Sequence, residues 1–185
     1  MNKRNAETFK NNDFLIKSSF LKLLLDKDFP KITVDMICSE ANINRSTFYF
    51  HFSDKYMLFK AIGDDIKEEL SESLRRIKET DPKTSIKSCV SIGLDVIKKY
   101  MSYFSVRSQD IQDIKDAYDS FNVFSDCNAS APDLSYSSDQ GKEYVEIGIR
   151  SGLETVTDAW LSKKCEDDVE TLADTICRII KMGCD

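Results

Sequence analysis

The stretch Ile32–Phe59, ITVDMICSEANINRSTFYFHFSDKYMLF, decides the fold. It reads as two short helices across a tight polar corner, with a longer helix following at once. Thr33 suits an N-cap, because its hydroxyl can accept from a free amide of the first turn. Val34, Ile37 and Ala41 recur at i, i+3 and i+7 and form one apolar stripe. Asn42 is a poor helix former that tolerates a left-handed backbone, which fits the corner. Arg45 to His51 makes a second helix of about two turns. Ser53 is placed to cap the next helix, with Tyr56 at its third helical position. Two helices joined by a turn of three or four residues are the helix-turn-helix pattern.

A helix this short does not fold alone, so its neighbours must hold it. Arg45, Ser46, Thr47, Tyr49 and His51 give it small or aromatic hydrogen-bonding groups. Such side chains are good partners for phosphates and base edges. A polar surface helix with a few aromatic residues tucked into a core accounts for the same composition.

Resemblance separates the two. The run Thr47-Phe48-Tyr49-Phe50-His51-Phe52, then Asp54-Lys55 and Leu58, closely resembles the T-x-Y-x-H-F-x-x-K-x-x-L signature of the tetracycline-repressor (TetR/AcrR) family of bacterial transcription regulators. Ile32-Thr33-Val34, Ile37 and Ala41-Asn42-Ile43 match that family's first helix-turn-helix helix. The match runs without gaps over about residues 14 to 62. It implies an all-α fold of about nine helices. Residues 1–62 would form a three-helix DNA-binding module, with helix four starting at 54. Residues 63–185 would form a larger helical bundle for ligand binding and dimerisation. Carried over by position, Arg45, Ser46, Tyr49 and Phe50 would face base edges, and Thr33, Thr47, Tyr49, His51 and Lys55 would hold phosphates. The Arg45 fork matches guanine O6 and N7, Phe50 can touch a thymine methyl, and a neutral His51 N–H can still donate.

The same resemblance implies a homodimeric, ligand-responsive repressor on a palindromic double-stranded operator. The effector pocket would lie among helices five to eight, with Tyr100, Met101, Phe104, Tyr118, Phe121, Phe124 and Tyr144 as candidates to line it. That mix suits a small, mostly apolar effector making one or two hydrogen bonds, although such residues are more often core than cavity lining. No cofactor is implied. A competing reading keeps the fold but makes the chain a protein–protein adaptor, with DNA binding secondary.

Composition agrees with long helices. Six glycines and three prolines in 185 residues argue against a loop-rich β protein. No apolar run approaches the roughly 18 residues of a membrane span. Met1 to Asp13 is polar and lacks the apolar core of a secretory signal, so a cytoplasmic, membrane-free chain is expected. The net charge of −6 divides unevenly: residues 1–62 carry ten Lys/Arg against seven Asp/Glu, and the rest carry sixteen against twenty-five. The basic excess therefore coincides with the candidate DNA module. The six cysteines form no C-x-x-C pair and the sole histidine is His51, so no metal site is expected and the thiols are expected free and reduced. The chain also lacks a Gly-rich phosphate loop and a serine elbow, so no enzyme is expected.

Taken in order, residues 1–12 read as a frayed basic arm in which Lys3, Arg4 and Lys10 could brush phosphates. A helix from Asp13 to about Lys27 carries Phe14, Ser18, Leu21 and Leu25 on one face, with Ile16, Phe20, Leu23 and Leu24 beside them, and stops before Pro30. Helix four runs from Asp54 to about Lys78, with Gly63 costing about 1 kcal/mol relative to alanine. After Thr80-Asp81-Pro82, a fifth helix spans about 83–103, capped by Asp81 or Thr84. A turn at 105–110, a helix over about 110–124 and an irregular stretch at 125–139 follow. Two amphipathic helices, about 139–163 and 166–182, end the chain, with Gly148, Ser151 and Gly152 allowing close approach of another helix. They resemble half of a four-helix bundle completed by a second copy, so the homodimer is placed on about 139–182. An intramolecular pair is the alternative.

Overall fold

The structure, a computed structural model, describes residues 3–81, 85–106 and 139–182. Among the described residues it is all-helical: α1 (Lys3–Asp26), a 3-10 turn (Phe29–Lys31), α2 (Val34–Ala41), α3 (Arg45–His51), α4 (Lys55–Thr80), α5 (Ile86–Lys99), α6 (Met101–Phe104), α7 (Asp139–Ser162) and α8 (Val169–Met182). None of these helices is long and apolar enough to cross a membrane. The described parts of Met1–Lys67 and Ser102–Ser120 form one compact unit, and those of Glu68–Met101 and Phe121–Asp185 another. The expected helix near 110–124 and the irregular stretch after it lie outside the described residues, apart from Asp139, which begins α7.

The first unit is built around aromatic rings. Phe29, Phe20 and Phe59 meet edge to face in a triangle, with centroids 5.8, 5.3 and 6.4 Å apart. Phe59 is also stacked on Tyr103 at 4.1 Å. Ile16, Ile37, Phe48, Leu58 and Ile66 fill the rest, each fully buried. Edge-to-face pairs such as these stabilise beyond their area burial, because the positive ring edge meets the negative face.

Three expectations for this unit need correction. The first helix begins at Lys3, not Asp13, so residues 3–12 are helical rather than a frayed arm. Its core stripe is Ile16, Phe20 and Leu24, while Phe14 and Leu25 are 67% and 61% exposed. The pattern 14-18-21-25 is helical too, so periodicity alone does not say which stripe finds a partner. Helix α4 is capped by Asp54, not Ser53: Asp54 Oδ1 accepts from the amides of Tyr56 and Met57, both at 2.8 Å. A carboxylate there satisfies two free amides and complements the helix dipole.

In the second unit α8 packs against α5 and α7. The later part of α4, from Glu68, belongs here and buries Leu70 and Leu74. Helix α5 starts at Ile86 and not near 83; its cap is Ser85, whose hydroxyl accepts from the Ser88 amide at 3.2 Å, rather than Asp81 or Thr84. It stops at Lys99, short of the expected 103, and α6 follows. Between α7 and α8 the buried Trp160 donates its indole N–H to the Asp167 carbonyl at 3.0 Å, which ties the turn to the core. Lys164 and Cys165 take positive φ angles in that turn. Asp168 accepts from the Thr171 amide at 3.0 Å at the start of α8. Of the small residues on α7, Gly152 is the one approached by α8: a Cβ there would lie 3.7 Å from Ile179. Gly148 has open space around it and Ser151 is exposed.

Candidate nucleic-acid interface

Local chemistry builds the corner. The Thr33 hydroxyl accepts from the Met36 amide at 3.3 Å and opens α2. Asn42 closes α2 in the left-handed region, φ 52 and ψ 47, with its amide returned to the carbonyls of Cys38 and Ser39. A side chain that tolerates this region lets the chain reverse without glycine. Helix α3 is then pinned by Phe48, which is completely buried, and by Phe52 just beyond its end. The Ile37–Ala41 face of α2 and the Ile16–Phe20 face of α1 supply the rest of its support.

With Phe48 turned inward, Arg45, Ser46, Tyr49 and Phe50 are turned out. All four are exposed, Tyr49 by 49% and Phe50 by 76%. Arg45 does not hang free. Its guanidinium makes a 2.9 Å ion pair with Asp35 on α2 and donates to the Tyr49 hydroxyl at 3.4 Å. The hydrogen bond to Tyr49 and the charge of Asp35 hold the arginine further above its usual pKa. The pair keeps the fork extended along α3. Thr47 is half-buried, and the Thr33 hydroxyl, although it accepts from Met36, retains its own proton to give.

Two of the expected phosphate-holding residues are placed differently. Lys55 points inward: its ammonium donates to the carbonyls of Phe29, Pro30 and Ile32 at 3.0, 3.1 and 2.8 Å. It also lies 4.8 Å from the centre of the Phe29 ring. Burial lowers its pKa below the usual lysine value. An ammonium has three protons, and here all three have acceptors, so Lys55 braces the 3-10 turn that leads into Thr33. The imidazole of His51 is 1% exposed. Phe9 is stacked on it at 4.1 Å. Its Nδ1 has no hydrogen-bond partner, and Asp13 Oδ1 stands 3.9 Å away. Burial lowers its pKa; Asp13 opposes that shift and Lys17 adds to it. Lys55 thus packs on the 3-10 turn, and His51 lies between the rings of Phe9 and Phe50.

Phe9, Asp35 and Asp13 escaped sequence reasoning. Phe9 had a signal, since Phe9, Asp13, Ile16 and Phe20 continue one helical face at i, i+4, i+7 and i+11. Asp35 had none. Lys17 bonds both Asp13 and Asp65, at 2.9 and 2.7 Å, and so joins α1 to α4. Burial works against that ammonium, but the two carboxylates outweigh it and raise its pKa. An open polar cleft of about 400 Å³ lies beside the corner, lined by Asn12, Cys38, Ser39, Asn42, Ile43, Asn44 and Thr47.

The effector candidates are only partly described. Tyr100 is half-buried and donates its hydroxyl to Glu69 at 2.7 Å, beside a Lys99–Glu69 ion pair of the same length. Burial raises that phenol's pKa, as does the bond to Glu69. Met101 is half-buried, and Phe104 is buried against Tyr103 in the first unit. Tyr118, Phe121, Phe124 and the side chain of Tyr144 lie outside the described residues. Cys38, Cys89 and Cys165 are buried free thiols.

Comparison with known proteins bears on the corner directly. Residues 21–62 match the family model described as bacterial regulatory proteins, tetR family. The helix-turn-helix segment of the chain is thus of the TetR type. A curated relative, the uncharacterized HTH-type transcriptional regulator YxbF of Bacillus subtilis (strain 168), is 32% identical over 59 residues. Those residues are 32% of this chain and 16% of that relative's length. Among solved structures, the dihydroxyacetone kinase operon activator DhaS is similar with a TM-score of 0.59 at 16% identity, over 94% of this chain and 96% of that one. A TetR transcriptional regulator from Rhodococcus sp. RHA1 has a TM-score of 0.48 at 11% identity, with the same coverage. At this identity the likeness to DhaS is one of fold, and the likeness to TetR-type regulators in sequence is confined to the helix-turn-helix segment.

Proposed function

We propose that this chain is a sequence-specific DNA-binding transcriptional regulator that acts as a homodimer on a palindromic operator. The observation that carries the reading is the row Arg45, Ser46, Tyr49 and Phe50, exposed on a two-turn helix whose other side is anchored by the fully buried Phe48. Such a helix fits the major groove, where arginine reads guanine and an apolar ring meets a thymine methyl. Thr33, Thr47 and Tyr49 supply phosphate contacts. Lys55 and His51 support the row from behind.

One helix reaches only a few base pairs, so two copies are needed for useful specificity. The α7–α8 pair, with Gly148 and Ser151 open on α7, is the face we assign to the second copy. An effector preferring the state with the wrong spacing of recognition helices would release DNA in proportion to its differential affinity. Tyr100, Met101 and Phe104, with Tyr118, Phe121, Phe124 and Tyr144, remain the residues proposed to bind a small, mostly apolar molecule. A regulator of this kind works in the cytoplasm.

The test is selection from random duplexes with the purified full-length chain, together with its mass in solution. The expected result is a two-fold symmetric consensus and a dimer. A dimer that enriches no sequence, yet binds a second regulator, would establish the adaptor reading instead.

A further inference from the structure

We propose that Phe9, on α1, is a specificity-determining positioning residue of the DNA interface: it fixes the ring of Phe50 for contact with a thymine methyl. The inference rests on the DNA-reading role proposed for α3. Phe50 is 76% exposed, far more than any apolar group needs to be for packing. Its ring nevertheless has a fixed edge. Phe9 meets it at 5.8 Å with the planes at 80°, and His51 meets it at 5.8 Å and 88°.

His51 cannot do this alone. Adjacent helical residues diverge, so the i, i+1 contact gives Phe50 little restraint. The restraint comes from 41 residues upstream, where Phe9 lies flat on His51 at 4.1 Å and 25°. The two rings form one slab, and Phe50 stands with its plane nearly perpendicular to both. Phe9 reaches this place because α1 is helical from Lys3 and continues the buried stripe of Ile16 and Phe20 outward past Asp13. Asp13 and Lys17, from the same helix, are the charged groups facing the imidazole. Phe9 is itself 37% exposed, so its outer edge adjoins the same surface. A ring ordered before binding does not have to be ordered at the moment of binding, which sharpens discrimination.

The experiment uses the full chain and the duplex it selects, with each thymine replaced in turn by deoxyuridine. That change removes the methyl and leaves every hydrogen-bonding group. Burial of one methyl-sized group corresponds to roughly a fourfold change in affinity. Wild-type protein should lose about that factor at one position per half-site, and Phe50→Ala should abolish the loss. Phe9→Ala should also abolish it without changing the salt dependence, and Phe9→Tyr should restore it. If Phe9→Ala loosens the fold, Phe9→Leu, which keeps apolar bulk without a flat ring, carries the same expectation. The sole imidazole offers a readout without DNA: its NMR titration should move towards the ordinary histidine value in Phe9→Ala. An unmoved titration, or Phe9 variants that keep the full methyl preference or weaken thymine and uracil duplexes equally, would overturn the role of Phe9. Selection of a sequence with no methyl dependence overturns this inference alone. No selection at all overturns the function reading, and this inference with it.

Discussion

The hydroxyl of Tyr103 occupies the space where a side chain on Gly63 would begin. A Cβ built on Gly63 falls inside the 3.0 Å that real Cβ atoms keep from that oxygen. Tyr103 is 2% exposed and stacked flat on Phe59, one turn before the glycine. Burial, with Asp64 nearby, pushes the phenol well above its ordinary pKa, so it stays neutral. Read from sequence, Gly63 is a weak point of α4. In the fold it is the notch that admits Tyr103.

Gly63→Ala therefore sets two effects against each other. Alanine gains about 1 kcal/mol of helix propensity, while overpacking costs about 1–3 kcal/mol. We expect net destabilisation in urea unfolding. Tyr103→Phe removes the offending oxygen but leaves Cζ 3.3 Å from the Cβ, so in that background Gly63→Ala should cost clearly less than in the wild type. A glycine-to-alanine change that stabilises the wild-type background would contradict the notch.

Lys55→Ala should act on stability rather than on phosphate binding. The loss takes the ammonium from three carbonyls, of which that of Phe29 keeps the Ile32 amide, and should cost about 1–3 kcal/mol. A lysine on a phosphate would instead lower the slope of log affinity against log salt by about one unit. For Lys55→Ala we expect a lowered urea midpoint with that slope unchanged. A reduced slope at unchanged stability would return Lys55 to the DNA face.

His51 gives a pH dependence whose sign is set by burial. Its folded pKa lies below the ordinary 6.5, so the unfolded chain takes up the proton first as pH falls. The stability tied to the neutral imidazole is complete above pH about 6.5 and is lost as pH falls through the lower folded value. Asp13 resists this and Lys17 reinforces it. Urea midpoints should fall from pH 7.5 to 5.5, and His51→Phe, which keeps the stack but cannot titrate, should remove part of that fall. Equal falls in both proteins would show that the imidazole is not the group responsible.

Asp35 restrains Arg45 and also places a negative charge beside the exposed row. The two side chains are 65% and 60% exposed. An ion pair this open contributes only about 0–1 kcal/mol, so Asp35→Ala should scarcely change stability. It should raise affinity for all duplexes, because a repulsive charge is gone. Arg45→Ala should relax preference at one base pair by about 1–3 kcal/mol. Competition binding against matched and mismatched duplexes distinguishes the two outcomes.

The sequence by itself determined what depends on neighbours a few residues apart. The Thr33 cap and the left-handed Asn42 follow from hydroxyl chemistry and backbone tolerance, and both are present in the structure. The choice between two equally helical stripes on α1, the cover of Phe9 over His51, the inward turn of Lys55 and the fit of Tyr103 at Gly63 were decided only by tertiary structure. Each of these joins residues more than twenty positions apart. Periodicity fixes which side chains share a face, but the partner that buries or hydrogen-bonds that face is set by how the helices return to one another in space.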